Sequence, residues 1–397
     1  MLTSSNAASS STKFGSTKEA ELRYEMNQMR VRELKEELKT LRISFHNVFD
    51  KEGLVDLLME ARMNGSSVET ETDAIVVPMS FYSLESGISV AAANANDVYL
   101  RPSPGKFAAI ALDVAPDSSL DQKINMLVDT ACTAVVLRPE VVRRLNLSTY
   151  GAGATMTAAG GGSMTGALTQ LQKFTLAYSN ESKRPFGPLP TAVQDIGALP
   201  SQLDGIIGLS FLNQFACVDF DFRRGKMLLH ENDMTPNIDP ELKFVGEASL
   251  FLTRMQVWAA NIYLDGRGPV KMLVDTGAAS SILNWKGVSD MGLSRSSPYI
   301  QQNVGAIGAM GADNVALNLS HRYVLTDSFG LQESMANGVV LKDDSINLDI
   351  GDLPILETLR ADGIGGLLGS DFLMRCDLVR FQFRGTSTPR ISLFMIQ

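Results

Sequence analysis

Among 397 residues there are only three cysteines, three histidines and two tryptophans. No apolar run approaches the roughly 18 residues that a membrane-crossing helix needs. Three is an odd number and too few for a disulfide framework. Cys132, Cys217 and Cys376 sit among apolar residues, where an unbridged Cys behaves as a small hydrophobe. A reducing intracellular compartment is therefore expected, the cytoplasm ahead of the plastid. Met1 to Ser16 is Ser-rich without an apolar core, which does not fit a secretory signal; its lack of arginine and the acidic character that begins at Glu19 leave a plastid or mitochondrial transit peptide only as a weak alternative. The net charge of −9 argues against a whole-protein grip on a phosphate backbone. His46, His230 and His321 lie in separate segments with no Cys or carboxylate at ligand spacing, so no metal site is expected. No phosphate-cradling Gly-Lys loop occurs. Gly363-Ile364-Gly365-Gly366 precedes an apolar strand instead of opening a helix, unlike a dinucleotide fingerprint, and no organic cofactor is expected either.

What the chain does have is one phrase written twice. Met126-Leu127-Val128-Asp129-Thr130-Ala131 and Met272-Leu273-Val274-Asp275-Thr276-Gly277 each run an apolar strand into an Asp-Thr-small turn. Downstream, Ile206-Ile207-Gly208 answers to Leu367-Leu368-Gly369, and the register holds through Val218 to Phe222 and Val379 to Phe383. Asp371, just after the second triplet, is expected to cap a short helix. Leu147 and Leu293 follow the two aspartates at equal distance and close a short helix or turn. The offset is 146 between the aspartates (275 − 129) and 161 between the glycines (369 − 208). The second copy therefore carries a net 15 extra residues (161 − 146), expected in the polar stretch from Leu341 to Asp352. A solenoid repeat would be shorter and more numerous, so the pattern reads as a duplicated lobe.

An apolar strand that delivers a carboxylate is expensive unless the charge is hydrogen-bonded or used. Two such deliveries point to acids that meet. A carboxyl pair sharing one proton supplies the base and the acid that water-driven peptide hydrolysis requires. Thr130 and Thr276 are expected to hydrogen-bond across the lobe interface and brace the loops. Ala131 and Gly277 are small enough to let a backbone N–H approach the carboxylate.

Ahead of the repeat, residues 1–18 read as disordered and residues 19–72 as a helical module. Val31, Leu34, Leu38 and Leu41 space one helix, and Leu54, Val55, Leu58 and Ala61 a second that starts at Asp50 with Gly53. From residue 73 on, β-branched and Gly-rich stretches alternate. Ala108–Val114, Thr169–Leu176, Val257–Leu264 and His321–Leu325 read as strands. The fold class is mostly β in two lobes, 73–238 and 239–397, joined by the Pro-containing segment Met234 to Pro240.

Asp129-Thr130-Ala131 and Asp275-Thr276-Gly277, each with its later apolar-apolar-Gly triplet, resemble the two active-site loops of the retropepsin and pepsin aspartic proteases, fused in one chain. The first lobe is particularly similar to retropepsin-like proteases of plants and bacteria, down to the glycine run Gly160-Gly161-Gly162 at the flap. The resemblance implies a pair of closed β-barrel lobes, a dyad of Asp129 and Asp275, and strands ending at Gly208 and Gly369 beneath the catalytic loops. It also implies a substrate-binding flap at Gly160, Gly161 and Gly162 and a second at Gly308. Position 131 departs from the family, being Ala where Gly is usual. Acid-acting pepsins carry Ser or Thr three residues after the catalytic Asp, whereas Cys132 and Ala278 stand here, so an optimum nearer neutrality is expected. The module from Val31 to Leu58 resembles SAP-like helix-loop-helix modules, but its acidic and basic residues alternate without a basic face. The expected function is a monomeric aspartic endopeptidase acting on peptide or protein, with no membrane and no nucleic acid as partner. Two alternatives stand beside it: a catalytically silent pseudoprotease binding peptides or a partner protein in the same cleft, and a nucleic-acid-associated adaptor working through its front module.

Overall fold

A computed structural model describes residues 23–24, 26–40, 50–63, 74–83, 103–114, 122–157, 162–176, 184–232, 236–302, 309–310, 316–317, 319–326, 328–331, 339–340, 346–385 and 388–396. The chain divides into two compact units, Met1–Thr72 and Asp73–Gln397.

In the first unit, helices Val31–Thr40 and Lys51–Met63 bury Leu34, Leu38, Leu54, Val55 and Leu58 against one another, with Met26 and Met59. The second helix opens where the Asp50 side chain accepts from the Gly53 N–H at 2.7 Å, an N-cap contact that satisfies one orphan donor.

The second unit is built from three principal sheets. A nine-stranded sheet holds the first lobe, with the path Ser80–Tyr82, Phe107–Asp113, Lys123–Val128, Gly205–Ile207, Val135–Leu137, Leu189–Val193, Ser163–Leu171, Tyr150–Thr157. A ten-stranded sheet repeats this plan in the second lobe around Arg267–Val274, Gly366–Leu368, Ile282–Leu283 and Ile346–Ile350. In each, the triplet strand lies parallel to the Asp-bearing strand, Ile207 beside Val128 and Leu368 beside Val274. Both triplet strands are wholly buried, as short apolar runs covered on both faces must be. Short helices Pro139–Arg144 and Trp285–Asp290 follow at the same offset, and the Leu147 and Leu293 N–H groups close onto Val142 and Val288. The lobes are not the closed barrels that the resemblance implies: the first sheet's path ends at Ser80–Tyr82 and Tyr150–Thr157, which do not pair with each other.

The third sheet joins the lobes in the order Ala74–Pro78, Lys226–His230, Cys217–Asp221, Leu378–Gln382, Arg390–Ile396, Leu242–Ser249. Cys217–Asp221 and Leu378–Gln382 are antiparallel neighbours, and Asp219 faces Arg380. These two residues are also each other's counterparts in the repeat (380 − 219 = 161), so the pseudo-twofold axis passes through the pair. Alternation gives this sheet two characters. Val218, Phe220, Val379 and Phe381 belong to the core that runs through both lobes, while Cys217, Asp219, Arg380 and Gln382 form a buried polar face.

The extra length of the second lobe is distributed differently from the expectation. Val193 pairs in parallel with Leu137, and Ile350 with Leu283, so Ile346–Ile350 is the counterpart of Leu189–Val193 and not an insertion. The offset there is 157 (350 − 193). Eleven of the fifteen extra residues thus enter before this strand (157 − 146), and four after it (161 − 157), where Pro354–Thr358 and Arg360–Asp362 form helical turns.

Candidate active site

Asp129 and Asp275 are the first residues beyond Lys123–Val128 and Arg267–Val274. Their N–H groups donate to the carbonyls of Ile207 (3.1 Å) and Leu368 (2.9 Å), so each triplet strand holds the acid that leaves its neighbour. The two loops then interlock. Thr130 Oγ1 donates to the Val274 carbonyl at 2.7 Å, and Thr276 Oγ1 to that of Val128 at 2.8 Å. Each hydroxyl also accepts the other threonine's N–H at 3.1 Å. Both threonines are buried, so these four bonds make one closed reciprocal set across the axis.

Asp129 Oδ1 accepts the N–H groups of Ala131 (2.7 Å) and Cys132 (3.0 Å), and Asp275 Oδ1 accepts that of Gly277 (2.8 Å). The two carboxyls lie close enough for the charge of one to bear on the other. Burial raises both acids above the usual carboxylate range. Asp275 is raised further, because the charge of Asp129 beside it adds to the desolvation. The Cys132 thiol points away from the dyad to the Ala134 carbonyl at 3.4 Å, and burial pushes it far up.

The two small residues have different reasons. Neither Ala131 nor Gly277 is at positive φ, so the turn does not demand glycine conformationally. Gly277 is required by space: a Cβ there would lie 2.4 Å from Asp129 Cγ and 2.6 Å from its Oδ2. Gly208 is required likewise, since a Cβ would meet the carbonyl oxygens of Cys132 and Ala134 at 2.3 and 2.4 Å, and Gly369 meets Ser280 and Ala278 in the same manner.

The segment expected to be a flap is the hairpin Tyr150–Thr157 with Ser163–Leu171. Its ladder slips on either side of Ala152, where Gly151 (φ 68°) and Gly153 (φ 93°) take left-handed backbone, the conformation that favours glycine. Gly162 leads into the returning strand, whereas Gly160 and Gly161 lie outside the described residues. So does Gly308, although Ala309–Met310 pairs with Ala316–Leu317 beyond it.

Two readings of the sequence are corrected. Asp371 does not cap its helix: Gly369 is the N-cap, without a side-chain bond, and the Asp371 carboxyl reaches Ser281 of the loop behind Asp275. His230 is not isolated either. Cys217, Asp219 and His230 bring their ligand atoms within 4.8 Å of one another. Cys217 and His230 face each other across a hairpin, which linear spacing hides, although Cys-x-Asp in one strand was a signal that could have found them. Arg380 takes both oxygens of Asp219 at 2.7 Å, so the cluster is a charge-compensated structural pair, and a cation would have to displace the guanidinium.

Residues 118–211 match the family described as aspartyl protease, a segment that carries Asp129 and stops short of Asp275. No curated protein matches the chain. Among solved structures, it is similar to basic 7S globulin from soybean, with a TM-score of 0.45 at 11% identity, covering 81% of this chain and 95% of that one. It is also similar to conglutin gamma, a basic 7S globulin from lupine seeds, with a TM-score of 0.42 at 13% identity over 81% and 95%. For the aspartic proteinase from Irpex lacteus the TM-score is 0.42 at 13% identity over 82% and 98%.

Proposed function

We propose that the chain is an aspartic-type endopeptidase that hydrolyses peptide bonds through a water held between Asp129 and Asp275. The observation that carries this reading is the juxtaposition of the two acids, with the Asp129 carboxyl packed against Gly277 beside Asp275, at the point where the loops of both lobes interlock. Like charges at that separation cannot both ionise, so the pair retains one proton across a wide pH range and titrates as a unit. That one proton belongs to the pair, and either acid can hold it. Backbone N–H groups on both acids, Ala131 and Cys132 on Asp129 and Gly277 on Asp275, favour the single charge of the pair.

In the reaction, with the shared proton on Asp275, Asp129 takes a proton from the water as its oxygen bonds to the substrate carbonyl carbon. Asp275 gives its proton to the carbonyl oxygen, which leaves a neutral tetrahedral diol. Collapse of the diol passes a proton to the amide nitrogen, breaks the C–N bond and restores the shared proton. This chemistry calls for neither metal nor organic cofactor. The hairpin Tyr150–Thr157 with Ser163–Leu171 closes over the bound peptide and excludes water. Both acids come from one chain, so a monomer suffices, and a peptide or protein is the partner.

The match of residues 118–211 to aspartyl proteases supports the reading. A mixed peptide library offered to the purified chain, beside Asp275→Asn and with a statine-containing inhibitor, tests it. Cuts abolished by both controls are expected, and cuts that survive Asp275→Asn would reject it. One observation favours a second reading: Ala131 stands where its counterpart, Gly277, leaves no room for a Cβ against Asp129. On that reading the same cleft binds peptides without cutting them.

A further inference from the structure

The two aspartates are not held alike. Asp129 is held by backbone alone on the triplet side: Ile207 takes its N–H, and the turn that follows binds through the N–H groups of Leu209 and Ser210, which donate to the Cys132 and Thr133 carbonyls. On the Asp275 side the peptide unit joining Leu368 to Gly369 is gripped at both ends. Its carbonyl accepts the Asp275 N–H at 2.9 Å, and its N–H donates to Ser281 Oγ at 2.7 Å. The Ser281 hydroxyl passes its own hydrogen to Asp371 Oδ1 at 2.6 Å, and the Ser281 N–H donates to Asp371 Oδ2 at 3.0 Å. The Phe372 N–H completes the carboxyl's partners at 3.0 Å. Ser281 is fully buried.

The repeat offsets make the asymmetry explicit. The counterpart of Ser281 is Val135 (281 − 146), which has no hydroxyl, and that of Asp371 is Ser210 (371 − 161). The relay from carboxyl to hydroxyl to peptide to Asp275 therefore exists in the second lobe only. Directionality runs through all of it. The Gly369 N–H can only donate, so Ser281 Oγ accepts there and keeps its own hydrogen for Asp371, whose two oxygens divide the hydroxyl and the N–H of Ser281 between them.

We infer that Ser281 and Asp371 are positioning residues that set the height and orientation of Asp275 against Asp129. This rests on the dyad proposed above. Neither group touches the reacting atoms; each acts through the Leu368–Gly369 peptide. Burial pushes the Asp371 carboxyl up to about 6, and Arg375, one helical turn on, is the charged group that bears on it. Such a raised value is what a carboxyl compensated mainly by neutral donors shows. Asparagine exchanges one of the two acceptor oxygens for a donor, so the hydroxyl and the N–H of Ser281 no longer both donate to separate oxygens of one group. Threonine at position 281 keeps the hydroxyl and can stand in for serine.

The test compares the full-length chain with Ser281→Ala, Ser281→Thr and Asp371→Asn, using the best-cut member of a mixed peptide library as substrate. A displaced catalytic group of this kind lowers turnover by up to about 10²-fold. Ser281→Ala and Asp371→Asn are expected to lower kcat by about 10- to 100-fold with KM within about twofold, and Ser281→Thr is expected to keep most of the wild-type turnover. The carboxyl resonance of Asp275 is followed against pH in the same proteins by ¹³C NMR. Its midpoint shifts in Ser281→Ala and returns in Ser281→Thr if the relay positions it. Should the wild-type chain cut nothing, the proposed activity fails, and the NMR midpoint alone decides the relay. Wild-type kcat and an unmoved midpoint in folded Ser281→Ala would overturn the inference, and so would a Ser281→Thr variant as impaired as Ser281→Ala.

Discussion

At the scale of single residues, the two small positions after the aspartates differ in the space each leaves. Gly277 packs against the Asp129 carboxyl so closely that a methyl group would lie 2.4 Å from its Cγ, well inside contact distance. We predict that Gly277→Ala lowers turnover by at least about 100-fold while the protein still folds, measured as kcat on a cleavable peptide beside a thermal melt. Near-wild-type turnover would refute the packing argument. Ala131 takes an ordinary backbone conformation, so Ala131→Gly is expected to leave turnover unchanged or raise it, and a steep loss would contradict this. Asp129 and Asp275 were legible in the sequence because each ends an apolar strand. The different demands at 131 and 277 were not, because what decides them is an atom of the opposite lobe.

At the scale of elements, the two Asp-Thr loops are held by the two threonines. Each hydroxyl makes one bond to a carbonyl and one to an N–H across the axis. Removing a buried partner strands the groups it served, at about 1–3 kcal/mol for each. Thr276→Val, which keeps the shape and loses the hydroxyl, is predicted to destabilise the protein by about 2–4 kcal/mol, read from urea denaturation. A change under about 0.5 kcal/mol would show that the set is dispensable. The loop chemistry also carries a pH consequence. The side chains at 132 and 278 give the carboxylates no hydrogen bond: the Cys132 thiol is turned to Ala134 and the Ala278 side chain is a methyl group. Both acids are raised by burial, so loss of the dyad's single charge on acidification begins above the usual carboxylate range. A pH–rate profile of kcat is expected to peak nearer neutrality, and a peak at about pH 3 would contradict it. His321–Leu325 was legible to the residue. The strand Ile346–Ile350 was not, because its role is set by its parallel neighbour Ile282–Leu283, far away in sequence.

Across the whole molecule, the lobes meet in a sheet whose central polar contact is Asp219 with Arg380 on the pseudo-twofold axis. An unvaried repeat would set like against like there, and divergence has made the pair complementary. Both are buried, and breaking one side of such a pair costs about 3–5 kcal/mol, whereas apolar replacement of both is often neutral. Arg380→Met is therefore predicted to destabilise strongly in urea denaturation, and Asp219→Leu with Arg380→Met to recover most of the loss; an additive double variant would refute the coupling. Arg380 is the main group holding Asp219 down, to about 2 against an ordinary 3.8, in opposition to burial. A depressed acid contributes stability that is present above the ordinary value and lost as pH falls toward its folded-state value. Wild-type melting is thus expected to fall between about pH 4 and pH 2 more steeply than that of the double variant. The cluster escaped sequence reading because Cys217 and Asp219 meet His230 across a hairpin and Arg380 only across the junction of the duplicated lobes.

The most direct test of the central claim is cleavage of a mixed peptide library by the purified full-length chain between about pH 3 and 8, read by mass spectrometry beside Asp129→Asn and Asp275→Asn. The paired-carboxyl account predicts discrete cuts that disappear in both variants and are blocked by a statine-containing inhibitor. Cuts that persist in either variant, or a folded wild-type chain that binds the inhibitor and cuts nothing, would contradict it.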